Sequence, residues 1–189
     1  MRPALILAAA FIATPALAQD MPTRKAGLWD MTMTFEGRNT PPQTMQHCID
    51  ATTDKAMQDM SAGARGQSCS KREMKKVGDT IVFDSVCSVG AGTATSHGVI
   101  SGDFNSAYTI KINSKREGGP PVPNMPAETS MSIAAKWLGA CKADQKPGDI
   151  IMANGMKMNV NDLPKGGAPG APGGRPGMPP GGPPGGVKK

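Results

Sequence analysis

The sequence predicts a mainly β fold. It is an antiparallel meander forming an open or closed small barrel, with one short helix and two disulfides. Three observations predict it. Gly27 to Glu36, GLWDMTMTFE, alternates with period two, the mark of a half-buried strand. Further alternating runs follow at short spacing, separated by Gly-rich turns, which favours consecutive antiparallel pairing. The four cysteines, Cys48, Cys69, Cys87 and Cys141, all lie beyond the N-terminal apolar run. An even set in an exported chain reads as a disulfide framework.

The elements follow in order. In the first strand Trp29, Met31, Met33 and Phe35 share the apolar face. Asn39 to Gln43 holds Pro41-Pro42 and reads as a loop. From Thr52, TTDKAMQDM reads as a short helix capped by Thr52 or Thr53. The stretch 69–87, CSKREMKKVGDTIVFDSVC, reads as a hairpin. Gly78-Asp79 suits a two-residue turn, pairing Val77 with Thr80, Met74 with Phe83 and Arg72 with Ser85. Lys71, Arg72, Lys75 and Lys76 fit the solvated side of an edge strand. Gly92 to Ser101 and Ala107 to Asn113 are the next strands, the latter with Tyr108, Ile110 and Ile112 inward. After a Pro/Gly-rich loop, Thr129 to Leu138 turns Met131, Ile133, Ala135 and Trp137 to one face. Asp149 to Ala153 and Met156 to Val160 form a last small hairpin.

Continued to its end, the regular hairpin register places Cys87 opposite Ser70 and Cys69 opposite Ser88. The two thiols then point to opposite faces and cannot bond each other. The expected pairs are therefore Cys48 with Cys69 and Cys87 with Cys141. The core is thin, with six aromatic residues after the N-terminal segment. Each disulfide would contribute roughly 2–4 kcal/mol.

Three segments are expected. Residues 1–18 are a signal peptide: Arg2, an apolar run, Pro15, and Ala16-Leu17-Ala18 as the cleavage box. Residues 19–163 form a single disulfide-stapled β domain. Residues 164–189, with ten Gly, eight Pro and four basic residues, form a disordered basic tail. The expected location is the periplasm, or the outside of the cell, after cleavage near Ala18. Between residues 19 and 163 there are 16 basic and 15 acidic residues. The basic balance thus belongs to the tail, which argues against a nucleic-acid-binding fold. No transmembrane segment is expected after cleavage, and the tail suits weak contact with anionic envelope polymers.

The order KAGLWDMTMT, QHCID, the CS…C hairpin, SGDFNSAYT and WLGAC resembles the exported bacterial domain-of-unknown-function family 3617. The resemblance runs from Lys25 to Cys141. Asp30 stands where that family often has Glu. The resemblance implies an exported cysteine-stapled domain and no reaction.

No catalytic constellation is legible, so no enzyme and no cofactor are expected. There is no G-x-S-x-G elbow and no phosphate-cradling loop. His97 lies mid-strand without a sequence neighbour of use, and Asp50 with Asp54, or Asp79 with Asp84, lacks a glycosidase context. The expected function is a non-enzymatic envelope protein that binds a partner or a small apolar ligand. The alternative is a copper- or metal-handling protein using Met31, Met33, Met156 and Met158 with His47, since thioethers and imidazole suit cuprous copper.

Overall fold

A computed structural model describes residues 21–61, 68–120 and 126–163. The signal-peptide and tail expectations lie outside these residues, as does the middle of the Pro/Gly-rich loop. The strands are β1 (Gly27–Glu36), β2 (Gln43–Ile49), β3 (Cys69–Val77), β4 (Thr80–Val89), β5 (Gly92–Asp103), β6 (Ala107–Gly118), β7 (Glu128–Gly139), β8 (Asp149–Met152) and β9 (Lys157–Asn159). One helix, α1 (Ala51–Ser61), follows β2, and a 3-10 turn (Val160–Asp162) follows β9.

All nine strands form one antiparallel sheet in the order β3-β4-β5-β6-β7-β1-β2-β8-β9. The meander runs from β3 to β7. Then β1 pairs with β7, so the chain's first strand lies near the middle of the sheet. The sheet is open, with β3 and β9 at its edges, so of the two expected closures the open one holds.

The pairing aligns the side chains of one face in rows. One row runs Met74, Phe83, Gly98, Ile112, Met131, Phe35. The next runs Lys76, Ile81, Ile100, Ile110, Ile133, Met33. Beyond it come Tyr108, Ala135, Met31, Met45 and Met152, then Trp137, Trp29, His47, Ile150 and Met158. This is the inner face. Its best-packed part is the Met31 and Trp29 end, where Trp29 is fully buried with Ile49, Met57, Tyr108, Ile150 and Val160. Gly98 is needed in the Phe83 row because any Cβ there would run into the Phe83 ring.

Helix α1 is capped by Asp50 rather than by Thr52 or Thr53. The Asp50 carboxylate accepts the Thr53 N–H at 2.8 Å, and the Thr53 hydroxyl accepts the Asp50 N–H at 2.9 Å. That is a reciprocal capping box. It also holds the Asp50 carboxyl below the usual carboxylate range, mainly through the Thr53 backbone bond. The Pro41-Pro42 loop expected over Asn39 to Gln43 gives way at Gln43 to β2, a strand for which the sequence reading has no counterpart.

The disulfide pairing is corrected. The bonds are Cys48–Cys141 and Cys69–Cys87, not Cys48 with Cys69 and Cys87 with Cys141. The Gly78-Asp79 register is as expected down to Lys71 opposite Val86, but a bulge then skips Ser70 and sets Cys69 opposite Cys87. One extra residue reverses the face of everything beyond it. The expected pairs are also far apart in the sheet. The order puts β2 six strand steps from β3, at about 4.8 Å per step. Cys141, just past β7, reaches across β1 to β2 and closes the outer face where Leu28 pairs with both Cys48 and Gly139.

Candidate functional site

The densest polar chemistry is buried where the N-terminal segment crosses the inner face under α1. Arg24 is 7% exposed and Asp54 is fully buried. The Arg24 Nε donates to Asp54 Oδ1 at 2.7 Å, and its backbone N–H donates to Oδ2 at 2.8 Å. Gln58 Nε2 adds a third donor to the same carboxylate at 2.9 Å. The far end of the guanidinium meets two thioethers, Met31 Sδ at 3.7 Å and Met57 Sδ at 3.8 Å. The Tyr108 hydroxyl reaches Met31 Sδ from another side at 3.9 Å. Its ring packs against Trp29 and stacks on Phe104, and burial pushes its pKa up, so the phenol stays neutral.

Helix geometry puts Asp54 and Met57 three residues apart on the face that meets the sheet. Arg24 is placed by bonds to the two residues that follow it. Lys25 N–H donates to the Phe104 carbonyl at 2.9 Å, and the Lys25 carbonyl accepts from Trp29 Nε1 at 2.8 Å. Trp137 Nε1 donates to the Ala26 carbonyl at 3.1 Å, and Lys25 Nζ lies 3.6 Å over the Trp137 ring.

His47 sits on the same face between Trp29 and Ile150. Both ring nitrogens are buried without a hydrogen-bond partner among the described residues. Burial, with the nearby Arg24 charge, lowers its pKa to about 3. It is therefore a neutral imidazole over the whole physiological range, too weak to serve as a general base there.

The expected copper ligands are not brought together. Met31 and Met33 share the inner face of β1, but Met31 Sδ is taken by Arg24 and Tyr108. Met158 is on β9, three strand steps from β1, and Met156 is 54% exposed just before it. What the register does align is Met31, Met45 and Met152 in one row, with His47 in the next. Met45 and Met152 carried no weight in the sequence reading. The alternation of Met45, His47 and Ile49 was the signal that would have found that strand. No cluster of three or more His, Cys, Asp or Glu is arranged to hold a metal among the described residues.

His97 has a partner the sequence did not suggest. Its Nδ1 lies 2.8 Å from Asp84 Oδ1 across β4 and β5, on the exposed outer face. That bond is the main cause of a lowered Asp84 pKa. Asp50 and Asp54 are separated in role, one a helix cap and the other the partner of Arg24. The basic cluster of β3 lies on an edge strand as expected. It divides between faces: Lys71 and Lys75 pair with Glu73 outside, and Arg72 and Lys76 belong to inner-face rows.

The rest of the inner face is less covered. In the Phe83 and Ile81 rows, Met33, Phe35, Met74, Ile112, Met131 and Ile133 are all half-buried. No helix of the described residues is long and apolar enough to cross a membrane.

No curated protein and no solved structure matches the chain. A family model does, over residues 24–141, described as a protein of unknown function, DUF3617. Its span opens on the buried Arg24 and closes on the disulfide-bonded Cys141. The chain belongs to the DUF3617 family.

Proposed function

We propose that this is an exported, periplasmic, non-enzymatic protein that holds a small apolar ligand against the inner face of its sheet. The observation that carries the reading is the pair of rows through Phe83 and Ile81. Apart from Lys76 at the β3 edge, they present a band of aliphatic, thioether and aromatic side chains across β3 to β7 and β1, in which Ile100 is fully buried and Met33, Phe35, Met74, Ile112, Met131 and Ile133 are half-buried. Contiguous apolar surface of that kind marks binding sites in folded proteins. Methionine adds adaptability to different ligand shapes. Export is supported by the N-terminal sequence, and the two disulfides agree with an oxidising compartment. The test is titration of the chain that begins at Gln19 with Nile red, an uncharged apolar dye. Saturable fluorescence is expected, and Ile112→Asp should abolish it in a protein that still melts cooperatively. Fluorescence without saturation, or unchanged in that variant, refutes the site.

A second reading has one observation in its favour, the neutral, unpartnered His47 beside the Met45 and Met152 row. Those three side chains would offer a soft imidazole and thioether set to cuprous copper. Competition against a cuprous chelator tests it. Capture by the protein, lost in His47→Leu, is required, and no competition ends this reading.

A further inference from the structure

The inner face sorts its charges by sign. Every Asp and Glu in β1 and in β3 to β7, namely Asp30, Glu36, Glu73, Asp84, Asp103, Glu117 and Glu128, alternates onto the outer face. The charged residues whose register puts them on the inner face of those strands are Arg72, Lys76 and Arg116, all cations. Arg72 heads a polar row that runs Ser85, Ser96, Ser114 and Thr129. Arg116 lies one row further out, aligned with Ala94 and Cys87. The face therefore has three zones in sequence. It is cationic and hydroxyl-lined at the Cys69–Cys87 end, apolar through the Phe83 and Ile81 rows except for Lys76 at their β3 edge, and closed by the Trp29 core beyond. Rows two residues apart are separated by about 6.8 Å. From the Arg72 row to the Tyr108 row is thus about 20 Å, of which the middle is apolar.

We propose that the ligand is a long-chain carboxylate, its chain across the Phe83 and Ile81 rows and its carboxylate at the Arg72 and Arg116 end. This rests on the apolar-ligand reading above and specifies its chemistry. An arginine fork is matched to a carboxylate. Arg72 Nη2 lies 3.1 Å from Cys69 Sγ, which engages one of the five donors of its guanidinium. Ser96 and Ser114 bond each other at 2.8 Å, so of that pair one hydroxyl proton is left to donate beside the carboxylate. The absence of acids from this face in β1 and β3 to β7 removes the repulsion that would reject an anion. A neutral apolar ligand would have no use for that segregation. The contact is partly solvated, so it discriminates by charge more than it adds affinity.

The test compares three probes of one chain length on the protein beginning at Gln19: dodecanoate, dodecanol and dodecylammonium, each below its micellar concentration. Calorimetric titration should give binding of dodecanoate roughly tenfold tighter than dodecanol, with dodecylammonium weakest. The preference should shrink as salt rises. In Arg72→Gln with Arg116→Gln, dodecanoate should fall to the alcohol's affinity. The wild-type comparison decides the point even if that variant misfolds. Equal affinity for all three probes overturns the headgroup assignment and leaves the apolar site standing. Binding of none of them overturns both. Association only with anionic vesicles, and not with monomeric dodecanoate, overturns the inference in favour of a membrane surface.

Discussion

His47 is the residue whose environment departs furthest from what its chemistry prefers. A buried imidazole with neither nitrogen bonded among the described residues forgoes the hydrogen bonds it had in water. It also ties stability to pH. The unfolded chain protonates this histidine near its ordinary value of 6.5, and the folded chain only near 3. Between those values the unfolded state binds the extra proton, so stability rises with pH across the window. The contribution is complete above about pH 6.5 and shrinks as the pH falls towards 3. The loss is at most on the order of 5 kcal/mol. His47→Leu removes the titrating group and fills the site with apolar atoms. It should melt at or above the wild-type temperature near neutral pH. Its denaturant midpoint should also show a flatter pH dependence between 4 and 6.5. A variant with the wild-type slope would assign the acid sensitivity elsewhere. Nothing in the sequence around Gln46-His47-Cys48 announces this burial. It is produced by Trp29 and Ile150 arriving on either side, from strands 18 residues before and 103 residues after it.

Among the elements, the β3–β4 hairpin shows how far local rules reach. The Gly-Asp turn, the Met74–Phe83 pairing and the exposed basic edge were all legible, because turn chemistry and alternation act within a few residues. The bulge at Ser70 was not, because no turn residue marks it, and it alone reversed the disulfide assignment. Helix α1 was legible by composition but not by its cap, since Asp50 follows directly on a strand that went unread. The two disulfides should differ in their effects. Cys48–Cys141 closes a sequence separation of 93 and has one fully buried partner, whereas Cys69–Cys87 closes 18 on an edge strand. Loop-closure entropy grows with separation, giving about 3 kcal/mol for the short loop and between 4 and 5 for the long one. Cys48→Ala with Cys141→Ala should therefore lower the melting temperature more than Cys69→Ala with Cys87→Ala. Mild reductant should open Cys69–Cys87 first, as followed by alkylation and peptide mapping. The opposite order would mean that strain or local opening outweighs chain entropy.

At the scale of the whole molecule, the sheet is unevenly secured. Its β1, β2 and β7 region carries the covered core, the buried Arg24–Asp54 pair and the longer disulfide. Its β3 edge is held mainly by the hairpin and one bond across it. The strand alternation that defines the inner face was readable from the sequence, strand by strand. The position of β1 between β7 and β2 was not, because that pairing joins residues about a hundred apart and leaves no local pattern. That non-local seam is where the stability is expected to concentrate, since opening it exposes Trp29 and leaves Asp54 buried without its cation. Native-state hydrogen exchange should follow the same gradient. The slowest amides should be those of β1, β2 and β7, and the fastest those of β3 and β9. Reducing Cys69–Cys87 should speed exchange in β3 and β4 while leaving β1 unchanged. Dodecanoate, if it lies along the apolar rows, should slow exchange in β4, β5 and β6, the strands it would bridge. Uniform protection across all nine strands would mean that the sheet opens as one cooperative unit, and the inner face would then have no loosely held half to admit a ligand.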